Sequence, residues 1–201
     1  MAGLIHQPVT VNILPGVIMN DRGFEPFQDR LSRDIRNDLS ESILEVIKEK
    51  SLHPAEEVAA EYLQKDLQPC YEEYIRSRLS RYEQARAKIA AENNPDPLWQ
   101  GLVLWDLGLF FEVHEVLEHT WLRSEGEEKL LLQAMIRAAG VYIKLEYGYD
   151  AAARKIADKA LPVLEEHSRR LSRYTEPERL LAALRALQAE PPQLLQEQGG
   201  S

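Results

Sequence analysis

His114 and Glu118 stand four residues apart in the run Trp105–Trp121, WDLGLFFEVHEVLEHTW. On a helix, an imidazole and a carboxylate at that spacing can reach each other. Such a pair can hold a divalent metal, or serve as general acid and base, hydrolysis included. With Leu107 at zero, a helix through the run puts Phe110, Phe111, His114, Glu118 and Trp121 within an arc of about 100°. The pair is therefore expected in the middle of an aromatic face. There an unpartnered polar group costs about 1–3 kcal/mol and an unpaired charge more. Two readings follow. In one, a core imidazole donates to a carboxylate and fixes how the helix packs. In the other, His114 and Glu118 line a pocket as metal ligands or as an acid–base pair tuned by burial. Two ligands leave zinc or iron incomplete, so the third, unidentified, would come from another helix or another subunit. The HExxH pattern fails, because Glu118 stands where its second histidine belongs. His119 is turned about 100° away and is expected on the surface.

The elements that must position these residues are helical. Leu31, Ile35, Leu39, Ile43, Val46 and Ile47 recur at three- and four-residue intervals between Gln28 and Lys50. A second helix follows Pro54 and stops before Pro69, and a third runs from about Cys70 to Glu92. Its Tyr71, Ile75, Tyr82, Ala85 and Ile89 make one stripe, a surface for covering the core or for building a homodimer. Arg76, Arg78, Arg81 and Arg86 on the same helix alternate with Glu72, Glu73 and Glu83, the pattern of a solvated face. Asn93–Pro97 is the clearest linker, with Asp96 as a cap and Pro97 at the first helical position. Asp106 reads as the N-cap of a helix to about Arg123. Further helices span Glu127–Tyr147, Asp150–His167 with a kink expected at Pro162, and Glu176–Leu187.

The expected fold is an all-α helical bundle with an irregular N-terminal arm. Within that arm Val9, Val11 and Ile13 allow one short strand before Pro15-Gly16. The expected division is 1–95 as arm and helical extension, 96–190 as the helical domain with the His/Glu/Trp motif, and 191–201 as a loose tail.

The segment from Trp105 to Trp121 resembles the signature of the domain of unknown function 309 family, an H-x-x-x-E-x-x-W helix after a short aromatic run. Gln133-Ala134-Met135-Ile136-Arg137, then Tyr142 and Gly148, continue the likeness over about residues 100–165. The resemblance implies a bacterial or archaeal all-helical protein with no assigned reaction, for which metal binding by the His and the Glu has been suggested. It also implies that the His114 helix packs on the Gln133–Tyr142 helix. On that helix Gln133 and Arg137 share a face, which makes them the candidates to meet Glu118. The family more often has Gln at the Arg137 position. A guanidinium there would favour a carboxylate and oppose a bound cation. A small anionic ligand held by Arg137, with His114 as proton donor, gains by that. The ligand-lining candidates are Glu115, Trp121, Gln133, Arg137, Phe110 and Phe111. The metal and catalytic candidates are His114 and Glu118.

Composition sets the outer bounds. The 201 residues carry 24 Lys+Arg against 33 Asp+Glu, a formal charge of -9, which argues against a general nucleic-acid binder. One cysteine, Cys70, makes no internal disulfide and fits a reducing cytoplasm. No apolar run is long enough for a bilayer, and no membrane partner is expected. Three classes remain open: a small hydrolytic or other enzyme using His114 and Glu118, a helical binding module, and an oligomer-forming structural protein.

Overall fold

The computed structural model describes residues 23–195, and among them the architecture is all-α. The strand expected at Val9–Ile13 lies outside the described residues. The helices are α1 (Arg30–Glu49), α2 (His53–Leu63), α3 (Pro69–Glu92), α4 (Pro97–Asp106), α5 (Phe110–Trp121), α6 (Gly126–Glu146), α7 (Asp150–Glu166), α8 (Ser168–Leu171) and α9 (Pro177–Ala186). None is long and apolar enough to cross a membrane.

Local chemistry explains the boundaries. Asp29 caps α1 by accepting from the Ser32 N–H at 2.7 Å, and Asp96 caps α4 by accepting from the Leu98 N–H at 3.0 Å. Prolines occupy the first turns of α2, α3, α4 and α9, where a missing N–H costs nothing. Pro162 is accommodated within α7, which runs through it as one helix.

α6 is the central element, packed most extensively on α7 and α5, while α4 and α1 flank α5. One apolar core runs across the expected boundary at residue 95. It joins Ile43, Val46, Tyr82 and Ile89 to Leu102, Trp105, Val113, Leu117, Met135 and Tyr142. Gly101 lets α4 and α5 approach closely: a Cβ there would stand 3.0 Å from Leu117 Cδ2. The Ile75–Tyr82–Ile89 stripe of α3 is buried within the chain, so it is not free for a second copy.

The link between α4 and α5 departs from the sequence expectation. Asp106 is the last residue of α4, and Leu109 is the N-cap of α5. Gly108, at φ 67°, makes the intervening turn in the left-handed region that glycine enters freely. The Asp106 carboxylate instead accepts from the backbone N–H groups of Leu194 and Leu195, at 2.6 and 2.9 Å. The Trp105 indole N–H donates to the Pro192 carbonyl at 3.0 Å, and Leu194 is fully buried. Residues 191–195 are therefore clasped to the end of α4 rather than loose: two backbone donors and a leucine find partners there.

Asp106→Ala leaves those two N–H groups without their acceptor. We expect a loss of about 1–3 kcal/mol in stability and faster proteolysis between residues 188 and 195. Thermal melts with limited digestion check this. Unchanged cleavage would mean that Leu194 alone seats the segment.

Candidate functional site

The true start of α5 at Phe110 changes which of its faces is buried. With Phe110 at zero, Val113, Val116 and Leu117 fall at about 300°, 240° and 340°, and they form the core side. His114, Glu118, Phe111 and Glu115 fall at about 40°, 80°, 100° and 140°, along its flank. The expectation that His114 and Glu118 sit in the middle of a buried aromatic face is corrected. Leu107, its reference point, lies in the turn before α5 and gives no azimuth for it. The side chains of His114 and Glu118 are 39% and 45% exposed.

His114 Nδ1 stands 3.7 Å from a carboxylate oxygen of Glu115 and 3.7 Å from one of Glu118. These are ion-pair distances, longer than a hydrogen bond. Ligand atoms of all three residues lie within 4.8 Å of one another. Glu115, a third group that could join His114 and Glu118, stands on the same helix. Glu115 raises the imidazole's pKa above its ordinary value; partial burial opposes that, Glu118 supports it, and the charge of Arg36 works against it.

Beside the triad lies a cleft of about 360 Å³. His114, Glu115 and Phe111 of α5 form one wall, Ile143 and Lys144 of α6 another, and Arg36 and Asn37 of α1 a third; Phe27 and Ile156 add apolar surface. The Arg36 guanidinium lies over the Phe111 ring at 4.5 Å and donates to Asn37 Oδ1. Lys144 Nζ sits 3.4 Å from the centre of the Phe27 ring and 5.2 Å from that of Tyr149.

The remaining sequence candidates are placed elsewhere. Phe110 is a core residue, edge-on to Trp105 at 5.2 Å and stacked near Tyr142 at 5.4 Å. Trp121 is half-buried against the core, with Lys129 Nζ 4.8 Å above its ring. Arg137 donates to the Lys159 carbonyl at 3.4 Å, across the α6–α7 contact. Among the described residues it makes no ion pair with Glu118, and neither it nor Gln133 belongs to the cleft lining. A shared face on α6 did not fix which neighbouring helix that face meets. His119 is exposed and contacts Arg123, as a surface histidine should.

The second cluster of charge is one that sequence reasoning placed in solvent. Arg78 and Glu112 are buried, 3.4 Å apart, and the Tyr82 hydroxyl donates to the other Glu112 oxygen at 2.6 Å. Arg78 also donates to the Gly108 carbonyl at 3.3 Å and lies over the Tyr74 ring at 4.8 Å. Arg81 reaches the Leu107 and Gly108 carbonyls at 3.5 Å. Burial works against the Arg78 charge, but Glu112 overcomes it and holds that pKa above its ordinary value. Burial raises the carboxyl of Glu146 nearby. Of the four arginines only some are solvated: Arg76 pairs with Glu72 at the surface, whereas Arg78 ties α3 to the start of α5.

No curated protein and no solved structure matches this chain. A family model does match, that of a domain of unknown function (DUF309), over residues 98–156. The match covers α4, α5 and α6 and the first turns of α7, so it includes His114, Glu115, Glu118 and Lys144 but not Arg36. Within this helical protein the likeness to the DUF309 family thus extends over residues 98–156.

Proposed function

We propose that the protein binds a divalent metal through His114, Glu115 and Glu118 and presents it to a small anionic ligand in the adjoining cleft, with hydrolysis as the reaction class. The observation that carries this reading is the half-exposed imidazole facing two carboxylates at the edge of a cleft. The donor set fits the group. One nitrogen and two carboxylate oxygens suit a first-row transition ion or zinc better than the all-oxygen shells of calcium and magnesium. Three protein donors also leave coordination positions open, as catalytic sites require. A metal held there would supply Lewis acidity and a more acidic bound water. The chain's own part is to offer a neutral imidazole and two carboxylates, and to line the cleft with cations and apolar side chains.

The alternative, a packing pair in a structural protein, receives less support because the pair is open to solvent. Exposed ion pairs contribute about 0–1 kcal/mol, so His114→Ala and Glu118→Gln should each leave the melting temperature almost unchanged. Metal affinity should fall by ~100-fold or more in both, since ligands matter at least as much as the groups behind them. Titration of chelator-stripped protein with Mn²⁺ or Zn²⁺, followed by calorimetry and native mass spectrometry, tests this. Absence of binding by the unmodified chain, or equal affinity in the variants, would overturn the reading.

The pH dependence has a definite sign. Metal requires the neutral imidazole, and the folded pKa of His114 is raised. Affinity should be full above that raised value and fall as pH drops through it. In the metal-free protein the linkage runs the other way. The imidazolium's attraction to Glu115 and Glu118 stabilises fully below the ordinary histidine pKa of 6.5 and is lost as pH rises through the folded value.

A further inference from the structure

Two cations, Arg36 and Lys144, face the cleft with no carboxylate in direct contact among the described residues. Among the described residues, neither Arg36 nor Lys144 has an acidic side chain within ion-pair distance. Both are half-buried, and both are steadied by aromatic rings: Arg36 over Phe111, Lys144 over Phe27 and Tyr149. Asn37 takes the Nε and Nη2 donors of Arg36, while Nη1 has no hydrogen-bond partner among the described residues. Burial lowers both pKa values, and for Lys144 the charge of Arg36 adds to that push. Glu115 attracts Arg36 and Glu25 attracts Lys144 from beyond ion-pair distance, but neither is in contact with its cation, and the two cations repel each other across the cleft.

We infer that Arg36 and Lys144 form an oxyanion subsite, and that the ligand of this cleft is a phosphomonoester carrying a small apolar group. Two unpaired cations match a dianion better than a singly charged carboxylate, and a guanidinium with a free edge suits phosphate geometry. The organic part is accommodated by Phe27, Phe111, Ile143 and Ile156, in a volume within the range of small-molecule sites. Glu115 lies in the same cleft and repels an anion, so the ester is expected to bind more tightly once a cation sits at the triad. This deepens the reading of the cleft as a binding site but does not require the metal, because the two cations come from the chain itself. It also gives the extension a role. Lys144 lies within the family segment, whereas Arg36 is supplied by α1, outside it. The ligand class would then be decided by a residue that the family match does not cover.

The test uses the full chain and three probes: phenyl phosphate, inorganic phosphate and benzoate. Each is titrated by calorimetry in chelator and again with Mn²⁺. Phenyl phosphate should bind in chelator, more tightly than either of the others, and more tightly still with Mn²⁺. Arg36→Gln and Lys144→Gln should each weaken it by about tenfold or more, as loss of a charge-assisted hydrogen bond does. Arg36→Lys, which keeps the charge, should lose less, and circular dichroism melts establish that the variants are folded. Arg137→Gln, on the Lys159 carbonyl, should bind as the unmodified chain does.

The outcomes separate cleanly. Binding only with Mn²⁺ and indifferent to Arg36 and Lys144 would overturn the subsite while supporting the metal centre. Binding in chelator without any metal affinity would support the subsite and overturn the metal centre. Benzoate binding as tightly as phenyl phosphate would overturn the ligand class. No binding of any probe by the unmodified chain would overturn the inference without recourse to variants.

Discussion

Arg78→Met is expected to destabilise the protein by about 3–5 kcal/mol, the cost of stripping one partner from a buried ion pair. Stabilities of single domains run to about 5–15 kcal/mol, so the variant stands near the edge of folding. The reason lies in what remains. Glu112 is 1% exposed and would keep, among the described residues, only the Tyr82 hydroxyl as a side-chain donor. The Gly108 carbonyl would lose the Arg78 donor that holds the α4–α5 turn to α3. Adding Glu112→Gln should restore much of the loss at neutral pH, because a neutral amide can still accept from Tyr82. Urea titrations of the single and double variants at pH 7.5 measure both effects. A deficit under about 1 kcal/mol would show that Glu112 is adequately solvated without its arginine.

Excision of residues 96–195 should give a chain that does not fold cooperatively. At about 100 residues its length is not the obstacle, since domains of that size are common. The obstacle is that its apolar surface is finished by the extension. Ile43, Val46, Ala55, Tyr82, Ala85 and Ile89 belong to the same core as Leu102, Trp105 and Val113. Glu112 would also lose Arg78 and Tyr82 together. Size-exclusion chromatography should show aggregates, and the heat-capacity trace should lack a sharp transition. A monomeric fragment with a cooperative melt would mean that the helices of the extension are an accessory layer over a self-sufficient core.

Much of the helical order was legible because its signals are local. Asp96-Pro97 announces the start of α4, and the apolar spacing of α1 announces its buried side. Two features misled for physical reasons. Gly108 breaks the helix between Leu107 and Phe110, so a wheel drawn through the break rotates every later residue. Arg78 sits on the apolar stripe of α3, at about 300° when Ile75 is zero, between Ala85 and Ile89. That azimuth was the available signal for a buried cation, and the neighbouring exposed arginines and glutamates masked it. Glu115 was legible as a candidate, but its place beside His114 depends on rotamers, which spacing does not fix. The placing of Arg36 and Lys144 on one cleft carries no local signal at all, because it depends on α1 and α6 both packing on α5.

The clasp at Asp106 bears on rates as well as on equilibrium. Its hydrogen bonds join residues 87 to 89 positions apart in the chain. Contacts so distant in sequence require a long loop to close and tend to form after the nearby helices have docked. Interactions that are missing from the folding transition state do little for the speed of folding; they slow escape from the native state. Trp105, Asp106 and Leu194 would then act as a kinetic latch, setting how long each folded molecule persists before it first opens.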